Sequence, residues 1–148
     1  MAKRNSIYIP DHLSLHIRSF GENTLSGSIA TLLDRYRTIT ADACPELTQA
    51  EWCCICDANN GCGAWLSAGG PDPYQSLWAN VYDSEEDGLS EKWGVSCREL
   101  AGRIRAMPLV QKAAVWDVAA RFWASPNLNK LDTHDLLKEV GAKIKEGA

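Results

Sequence analysis

The residues best suited to metal or redox chemistry are six cysteines. Cys53 and Cys56 form a C-x-x-C pair, with Cys62 close by and Cys97 further along the chain. Four thiolates of this kind can hold zinc in a tetrahedron. The pair lies, however, within a strong helical pattern rather than in the turn that a zinc knuckle needs, and no second C-x-x-C follows. Free cysteine is commonly buried, so we expect structural thiols and no metal.

Other patterns typical of catalysis are weak. A thioredoxin-like redox motif would need a strand before the cysteines and a helix after them, and the sequence has neither. It contains no glycine-rich phosphate loop and no paired-carboxylate signature. Asp132, His134 and Asp135 cluster at a predicted helix start, where acids are favoured by the helix dipole. The acidic run from Asp83 to Asp87 lacks the ligand spacing of a calcium loop. We therefore predict no enzymatic activity and no cofactor.

A short segment at the start of the chain, in which polar and apolar residues alternate, indicates a function other than metal binding or catalysis. Polar residues alternate with Ile7 and Ile9, which is the period of a β-strand, and a proline ends the segment. A lone strand with one apolar edge needs a partner, and a second copy of the chain is the simplest source. If two copies pair antiparallel, the isoleucines face inward and the other face carries Arg4, Ser6 and Tyr8. Such a ribbon fits the major groove of DNA.

Two helical patterns follow this strand. A proline and an aspartate suit the start of the first helix, in which apolar residues recur from Leu13 until Gly21. Asn23 or Thr24 can cap the second helix. Its apolar stripe is formed by Leu25, Ile29, Leu32, Leu33 and Tyr36.

The order S-I-Y-I-P-D-H-L, a glycine turn at Gly21 and then T-L-S-G-S-I-A-T-L-L-D-R-Y resembles the ribbon-helix-helix family of DNA-binding proteins. The resemblance covers about a quarter of the chain and implies an intertwined dimer that inserts its paired strands into the major groove. The DNA-contacting residues would be Lys3, Arg4, Ser6, Tyr8, Thr24, Leu25 and Ser26. The dimer interface would include Ile7, Ile9, Leu13, Ile29 and Leu33. A strand-helix-helix that serves only to dimerise remains the alternative.

Charge is divided unevenly along the chain. Residues 1–41 hold five basic and three acidic side chains and carry +2, whereas residues 42–148 hold ten basic and sixteen acidic ones and carry −6. A DNA-facing module joined to a different domain would show this asymmetry. No secretory signal or membrane-length apolar run is present, so we expect a cytoplasmic protein with reduced thiols.

The remainder of the chain predicts helices. The segment from Thr38 to Pro45 is expected to be a linker, which gives domains at residues 1–42 and 46–148. Thr48 and Glu51 form a capping box, and a last helix is expected to carry apolar residues as far as Ile144. No alternating strand is expected in this second domain. The predicted fold is therefore mainly α, with an N-terminal ribbon-helix-helix followed by an all-α domain.

All six tryptophans lie in this second part. Helical spacing predicts core positions for Trp52, Trp78, Trp116 and Trp123, whereas Trp65 lies beside glycines and is the best candidate for exposure.

Two functions follow from these patterns. The first is sequence-specific DNA binding by a homodimer, as a transcriptional repressor or a plasmid- or phage-type accessory factor. The second is a protein-binding inhibitor or antitoxin-like adaptor that uses its acidic helical domain, with the ribbon serving dimerisation or autoregulation. No membrane partner is expected in either case.

Overall fold

A computed structural model of the chain describes residues 10–11, 25–60 and 71–146. Over these ranges the chain is mainly helical, as predicted, with seven helices and two strands of two residues each. The helices are α1 (Leu25–Ala43), α2 (Gln49–Ala58), α3 (Gln75–Asp83), α4 (Leu89–Trp93), α5 (Cys97–Ala106), α6 (Leu109–Ala124) and α7 (Thr133–Glu139). The strands are β1 (Glu46–Leu47) and β2 (Lys143–Ile144). None of the helices within the described ranges is long and apolar enough to cross a membrane.

Helix α1 is longer than the sequence pattern indicates. It continues to Ala43 and so occupies most of the segment expected to be a linker. Residues 38–43 contain neither glycine nor proline, so nothing within them stops the helix. The helix ends only where Pro45 disfavours a helical conformation at the preceding residue, Cys44. The chain divides into two compact units, Met1–Ile39 and Thr40–Ala148, and the division falls within this helix.

Helix α2 begins as its sequence predicts. The Thr48 side chain accepts a hydrogen bond from the Glu51 N–H at 3.1 Å, and the Glu51 carboxylate accepts one from the Thr48 N–H at 3.0 Å. This capping box satisfies two backbone donors that the first turn leaves unpaired. Six consecutive residues from Glu51 to Cys56 are buried, so the helix lies within the core of the second unit.

The expectation of a second domain without strands is wrong. β1 pairs in parallel with β2, with Glu46 opposite Lys143 and Leu47 opposite Ile144. Helix α7 ends at Glu139 rather than reaching Ile144, because Gly141 adopts a left-handed conformation (φ 96°) that turns the chain toward β1. A two-residue strand is too short to show a period in sequence.

The core of the second unit brings together α2, α3, α5, α6 and α7. Its fully buried side chains include Trp52, Ile55, Leu77, Leu100, Ile104, Val115, Leu136 and Leu137. Trp116 is also buried, while Trp78, Trp93 and Trp123 are partly buried and pack against the same core. The predicted core positions of the tryptophans are confirmed, except that Trp78 and Trp123 lie at its edge. Trp65 lies outside the described residues.

Helix α4 is absent from the sequence prediction. It has five residues and lies between Gly88 (φ 79°) and Gly94 (φ 65°), both in the left-handed region that favours glycine. Helix α5 follows, with Ser96 as its N-cap. Ring contacts of Tyr82 with Arg98 and of Trp78 with Arg105 show that α3 and α5 run antiparallel.

Candidate functional site

Most residues expected to contact DNA lie outside the described ranges, namely Lys3, Arg4, Ser6, Tyr8 and Thr24. Leu25 is the first residue of α1, and Ser26 is exposed in its first turn. The first turn of a helix has backbone N–H groups without intrahelical partners, which is the arrangement that accepts a phosphate.

Of the predicted dimer residues, Ile7, Ile9 and Leu13 also lie outside the described ranges. Ile29 and Leu33 lie on α1, the first half-buried and the second 53% exposed.

An apolar stripe runs along α1 and is largely open to solvent. At about 100° per residue, its members fall within about 120° of one face of the helix. Leu33 and Ile39 are 53% and 57% exposed, and Tyr36 is 37% exposed. The stripe consists of Ile29, Leu32, Leu33, Tyr36 and Ile39. Because a stripe of large apolar residues is normally buried against another element, this helix has the character of an interface.

A second exposed feature lies on α3 and α5, where two arginines stack on two aromatic rings. The Arg98 guanidinium lies 5.4 Å from the Tyr82 ring centroid, and the Arg105 guanidinium lies 5.0 Å from that of Trp78. Both distances are typical of cation–π contacts. We call these four residues the arginine–aromatic patch. Tyr82, Arg98 and Arg105 are exposed, so the patch presents two guanidinium groups to solvent.

Asp72 holds the Trp78 end of the arginine–aromatic patch in place. Its carboxylate accepts hydrogen bonds from the Trp78 indole at 2.9 Å, the Lys112 ammonium at 2.8 Å and the Tyr74 backbone N–H at 2.9 Å. The Lys112 side chain is only 10% exposed and that of Asp72 is 23% exposed. This ion pair is therefore largely shielded from water, and it orients the ring on which Arg105 rests.

An acidic turn follows Tyr82 directly. It comprises residues 83–87 and exposes three carboxylates, those of Asp83, Glu86 and Asp87. Backbone bonds from Glu86 to Asp83 and from Asp87 to Ser84 keep its shape. The fourth carboxylate, Glu85, contacts the Arg98 Nε at 2.6 Å. Positive and negative charge are thus adjacent but separate on this surface.

The described cysteines are buried thiols, as expected. Burial raises the pKa of Cys53 to about 11 and that of Cys54 to about 12, where the neighbouring Cys97 thiol adds to the effect. The Cys54 and Cys97 sulfurs lie 3.6 Å apart. Because the thiolate is the form that attacks and ligates, these raised pKa values keep the Cys53 and Cys54 thiols protonated and weakly nucleophilic at neutral pH. Among the described residues, no three potential ligands converge on a metal position. Cys62 lies outside them.

The ion-paired carboxylates of Asp72 and Glu51 predict how stability depends on pH. Burial raises the pKa of Asp72, but the hydrogen bonds from Lys112 and Trp78 outweigh this and leave the pKa below its usual value. Glu51 behaves alike, because burial is outweighed by bonds from the Thr48 backbone and Arg103. A depressed pKa in the folded state contributes stability above the unfolded value, about 3.9 for Asp and 4.3 for Glu, that is lost as pH falls through the folded value.

We therefore expect the urea midpoint to be nearly constant from neutral pH to about pH 5 and to fall below about pH 4. The measurement is a series of urea unfolding curves across this range. The Asp72→Asn variant should be less stable at neutral pH and should lose less stability on acidification. An equal acid loss in wild type and variant would exclude Asp72 as a source.

Comparisons with protein-family models, with curated proteins and with solved structures gave no match for this chain.

The arginine–aromatic patch was not predicted from the sequence. Trp78 and Tyr82 are four residues apart on one predicted helix, and Arg98 and Arg105 are two turns apart on another. Each spacing places its pair on one helix face. That the two faces meet depends on the packing of α3 against α5, which no local pattern encodes.

Proposed function

We propose that the chain is a sequence-specific DNA-binding protein that acts as a homodimer, in the role of a transcriptional repressor or a plasmid- or phage-type accessory factor. The observation that carries the proposal is the exposed apolar stripe of α1, which is suited to cover a second copy. It occurs on the helix whose sequence contributes to the ribbon-helix-helix resemblance. The two compact units also fit a DNA-binding module followed by a helical domain.

The location of charge adds further support. Residues 1–41 alone carry a net charge of +2 in a chain whose net charge is −4, and Ser26 is exposed at the beginning of α1. Thr24, Leu25 and Ser26 would contact a backbone phosphate there, while Arg4, Ser6 and Tyr8 of two paired strands would contact base edges. Phosphate contacts position the protein, and base contacts provide specificity.

DNA binding is tested by Arg4→Ala. If Arg4 contacts a base edge, discrimination between specific and scrambled duplexes should fall by about 1–3 kcal/mol. Lys3→Ala is the matched control: as a phosphate contact, Lys3 should weaken binding to all sequences and lower the salt slope by about one. Fluorescence anisotropy at several salt concentrations gives both quantities, with DNA from upstream of the chain's own gene as the specific duplex. Unchanged affinity in an Arg4→Ala/Tyr8→Ala variant would exclude the ribbon as the reading element.

Dimerisation is tested by Leu33→Glu. A carboxylate at this position would be buried without a partner in the dimer, whereas in a single copy the side chain is more than half exposed. We expect the variant to shift from dimer to monomer in sedimentation equilibrium while its second unit stays folded. Asp34→Ala, on the opposite face of the same helix, is the control and should leave the dimer intact. A Leu33→Glu dimer as stable as the wild type would reject this interface.

The protein-binding adaptor is the second candidate. It is favoured by two adjacent apolar side chains at the start of α6, Leu109 and Val110, which are 57% and 38% exposed. Neighbouring exposed apolar residues are typical of a protein contact. A partner that co-purifies in stoichiometric amount and is lost from a Leu109→Ser/Val110→Ser variant would support this function.

A further inference from the structure

The arginine–aromatic patch and the acidic turn lie in a fixed order on one surface. Because α3 and α5 are antiparallel, Tyr82 and Arg98 are at one end of the patch and Trp78 and Arg105 are at the other. The acidic turn begins immediately after Tyr82, so it adjoins the Arg98 end. Arg98 and Arg105 are seven residues apart on α5, a separation of about 10.5 Å along the helix axis. The surface is therefore negative at one end and positive at the other.

Gly102 lies between the two arginines on the exposed side of α5. A Cβ placed on it would have no neighbouring atom within 4 Å, and its backbone φ is not in the left-handed region. Nothing in the described chain therefore requires glycine here. Glycine within a helix is disfavoured relative to alanine, so its presence needs another reason. The usual reason for such a glycine is the close approach of a second backbone.

Arg105 is the more available of the two cations. The Arg98 guanidinium is already engaged by Glu85 through its Nε atom. Arg105 has its aromatic contact with Trp78, and no carboxylate of the described ranges lies within ion-pair distance of it. Stacking on Trp78 holds the guanidinium in place, which lowers the entropy lost when it pairs with an incoming carboxylate.

We propose that this surface binds the same surface of a second copy of the chain, related by a two-fold axis close to Gly102. In that arrangement the α5 helices cross at Gly102, and the acidic turn of each copy meets Arg105 of the other. A two-fold interface needs a self-complementary patch, and a surface with opposite charge at its two ends meets this need. Arginine, tryptophan and tyrosine are also the residue types enriched where protein interfaces bind most strongly.

The charge distribution favours a second copy over nucleic acid. A nucleic acid strand laid along the patch would continue over the three exposed carboxylates of the acidic turn, which repel phosphates. A second copy instead places the carboxylates of its acidic turn next to Arg105, where they can form an ion pair. The proposal goes beyond DNA binding, because it provides a second self-contact, separate from the α1 stripe, that would join dimers into larger assemblies.

Two charge-reversal variants test the proposal, and each is the control for the other. Arg105→Glu places a carboxylate opposite the acidic turn of an identical copy, and Glu86→Arg places two cations opposite each other. Each variant alone should lose the contact. In an equal mixture, a copy of one variant facing a copy of the other has an opposite charge pair at both ends of the interface. Contact should therefore return only in the mixture.

The measurement is sedimentation velocity of the full chain at low salt over a range of concentrations. We expect the wild-type chain to form assemblies larger than a dimer that weaken as salt screens the charges. Each variant alone should stop at the dimer, and the larger assemblies should return when the two are mixed. Equal assembly of wild type and Arg105→Glu, or no recovery on mixing, would overturn the proposal. Unchanged thermal unfolding of each variant shows that the fold is intact.

Gly102 gives an independent test that leaves charge unchanged. Gly102→Gln has open space for its side chain within one copy, so it should fold with equal or higher thermal stability, yet it should prevent the two α5 helices from meeting. A Gly102→Gln chain that still forms assemblies larger than a dimer would overturn the two-fold axis proposed here. If the α1 dimer is absent, the wild-type chain should form dimers through the patch, and Leu33→Glu should not affect them. The experiments therefore distinguish loss of the contact through the α1 stripe from loss of the contact through the arginine–aromatic patch.

Discussion

Replacing Trp52 with alanine should destabilise the second unit by about 3–5 kcal/mol, as expected for removal of a fully buried aromatic side chain. Trp52 is 0% exposed, and its indole N–H donates a hydrogen bond of 2.9 Å to the carbonyl oxygen of Lys143. The substitution would leave a cavity and would remove the indole donor from the Lys143 carbonyl, which belongs to β2. Since a typical domain is stable by only about 5–15 kcal/mol, the variant should be close to unfolding at room temperature.

Urea unfolding followed by far-ultraviolet circular dichroism measures this loss. Trp52→Phe is the matched control, because it keeps most of the ring volume and removes the indole donor. Its smaller loss combines the hydrogen bond to Lys143 with the packing of the missing part of the indole, and the difference between the two variants gives the packing contribution of the remaining ring. A loss below about 1 kcal/mol for Trp52→Ala, which is ordinary for a surface position or a tolerant site, would contradict the central place of this residue in the core.

Asp72→Ala should reduce stability by about 3 kcal/mol at neutral pH, at the lower end of the range for breaking a buried ion pair. The change leaves the Lys112 ammonium, on a side chain only 10% exposed, without its carboxylate. It also removes the acceptor for the indole of Trp78. The main penalty is the uncompensated charge, so adding Lys112→Met to the Asp72→Ala chain should recover much of the loss.

A double-mutant cycle in urea measures this coupling. An exposed ion pair in the same unit is the control. Lys138 and Glu146 are 4.0 Å apart, with side chains 55% and 76% exposed, and Glu146→Ala should change stability by less than about 1 kcal/mol. If Asp72→Ala costs no more than Glu146→Ala, the Lys112 side chain must reach water when its partner is removed.

Helix beginnings in the second unit could be predicted because their signals are local. Thr48 and Glu51 cap α2 where the sequence indicates. Ser96 and Asp132 act in the same way at the beginnings of α5 and α7, each accepting a hydrogen bond from the backbone N–H three residues later. A capping side chain needs only a backbone donor two or three residues away, so the pattern carries the structural information in itself.

Features that depend on distant parts of the chain could not be predicted. The β1–β2 pair joins segments at opposite ends of the second unit, and each strand is too short to show an alternating pattern. The ion pair between Asp72 and Lys112 spans 40 residues. Helix α4 was missed for another reason: five residues between two glycines are less than two helical turns.

The two candidate sites differ in the same respect: one has a local signal in the sequence, and the other depends on contacts between distant segments. The apolar stripe of α1 was found from sequence because helical spacing alone places Ile29, Leu33 and Tyr36 on one face. Its exposure could not be predicted, since a stripe of this kind is equally compatible with burial in the chain's own core. The contact of Arg105 with Trp78 depends on two helices packing side by side, and so required the structure.

The pairing of β1 with β2 has a consequence for synthesis on the ribosome. Trp52 and its acceptor Lys143 are 91 residues apart, so the indole has no partner until nearly all of the described chain has been translated. At about 5–20 residues per second, this delay is roughly 5–20 s. The first 40 residues emerge well before the second unit can close. In the proposed homodimer, a nascent chain would therefore have time to pair with another through its N-terminal segment while its helical unit is still incomplete, and neighbouring ribosomes on one messenger RNA would supply that second chain.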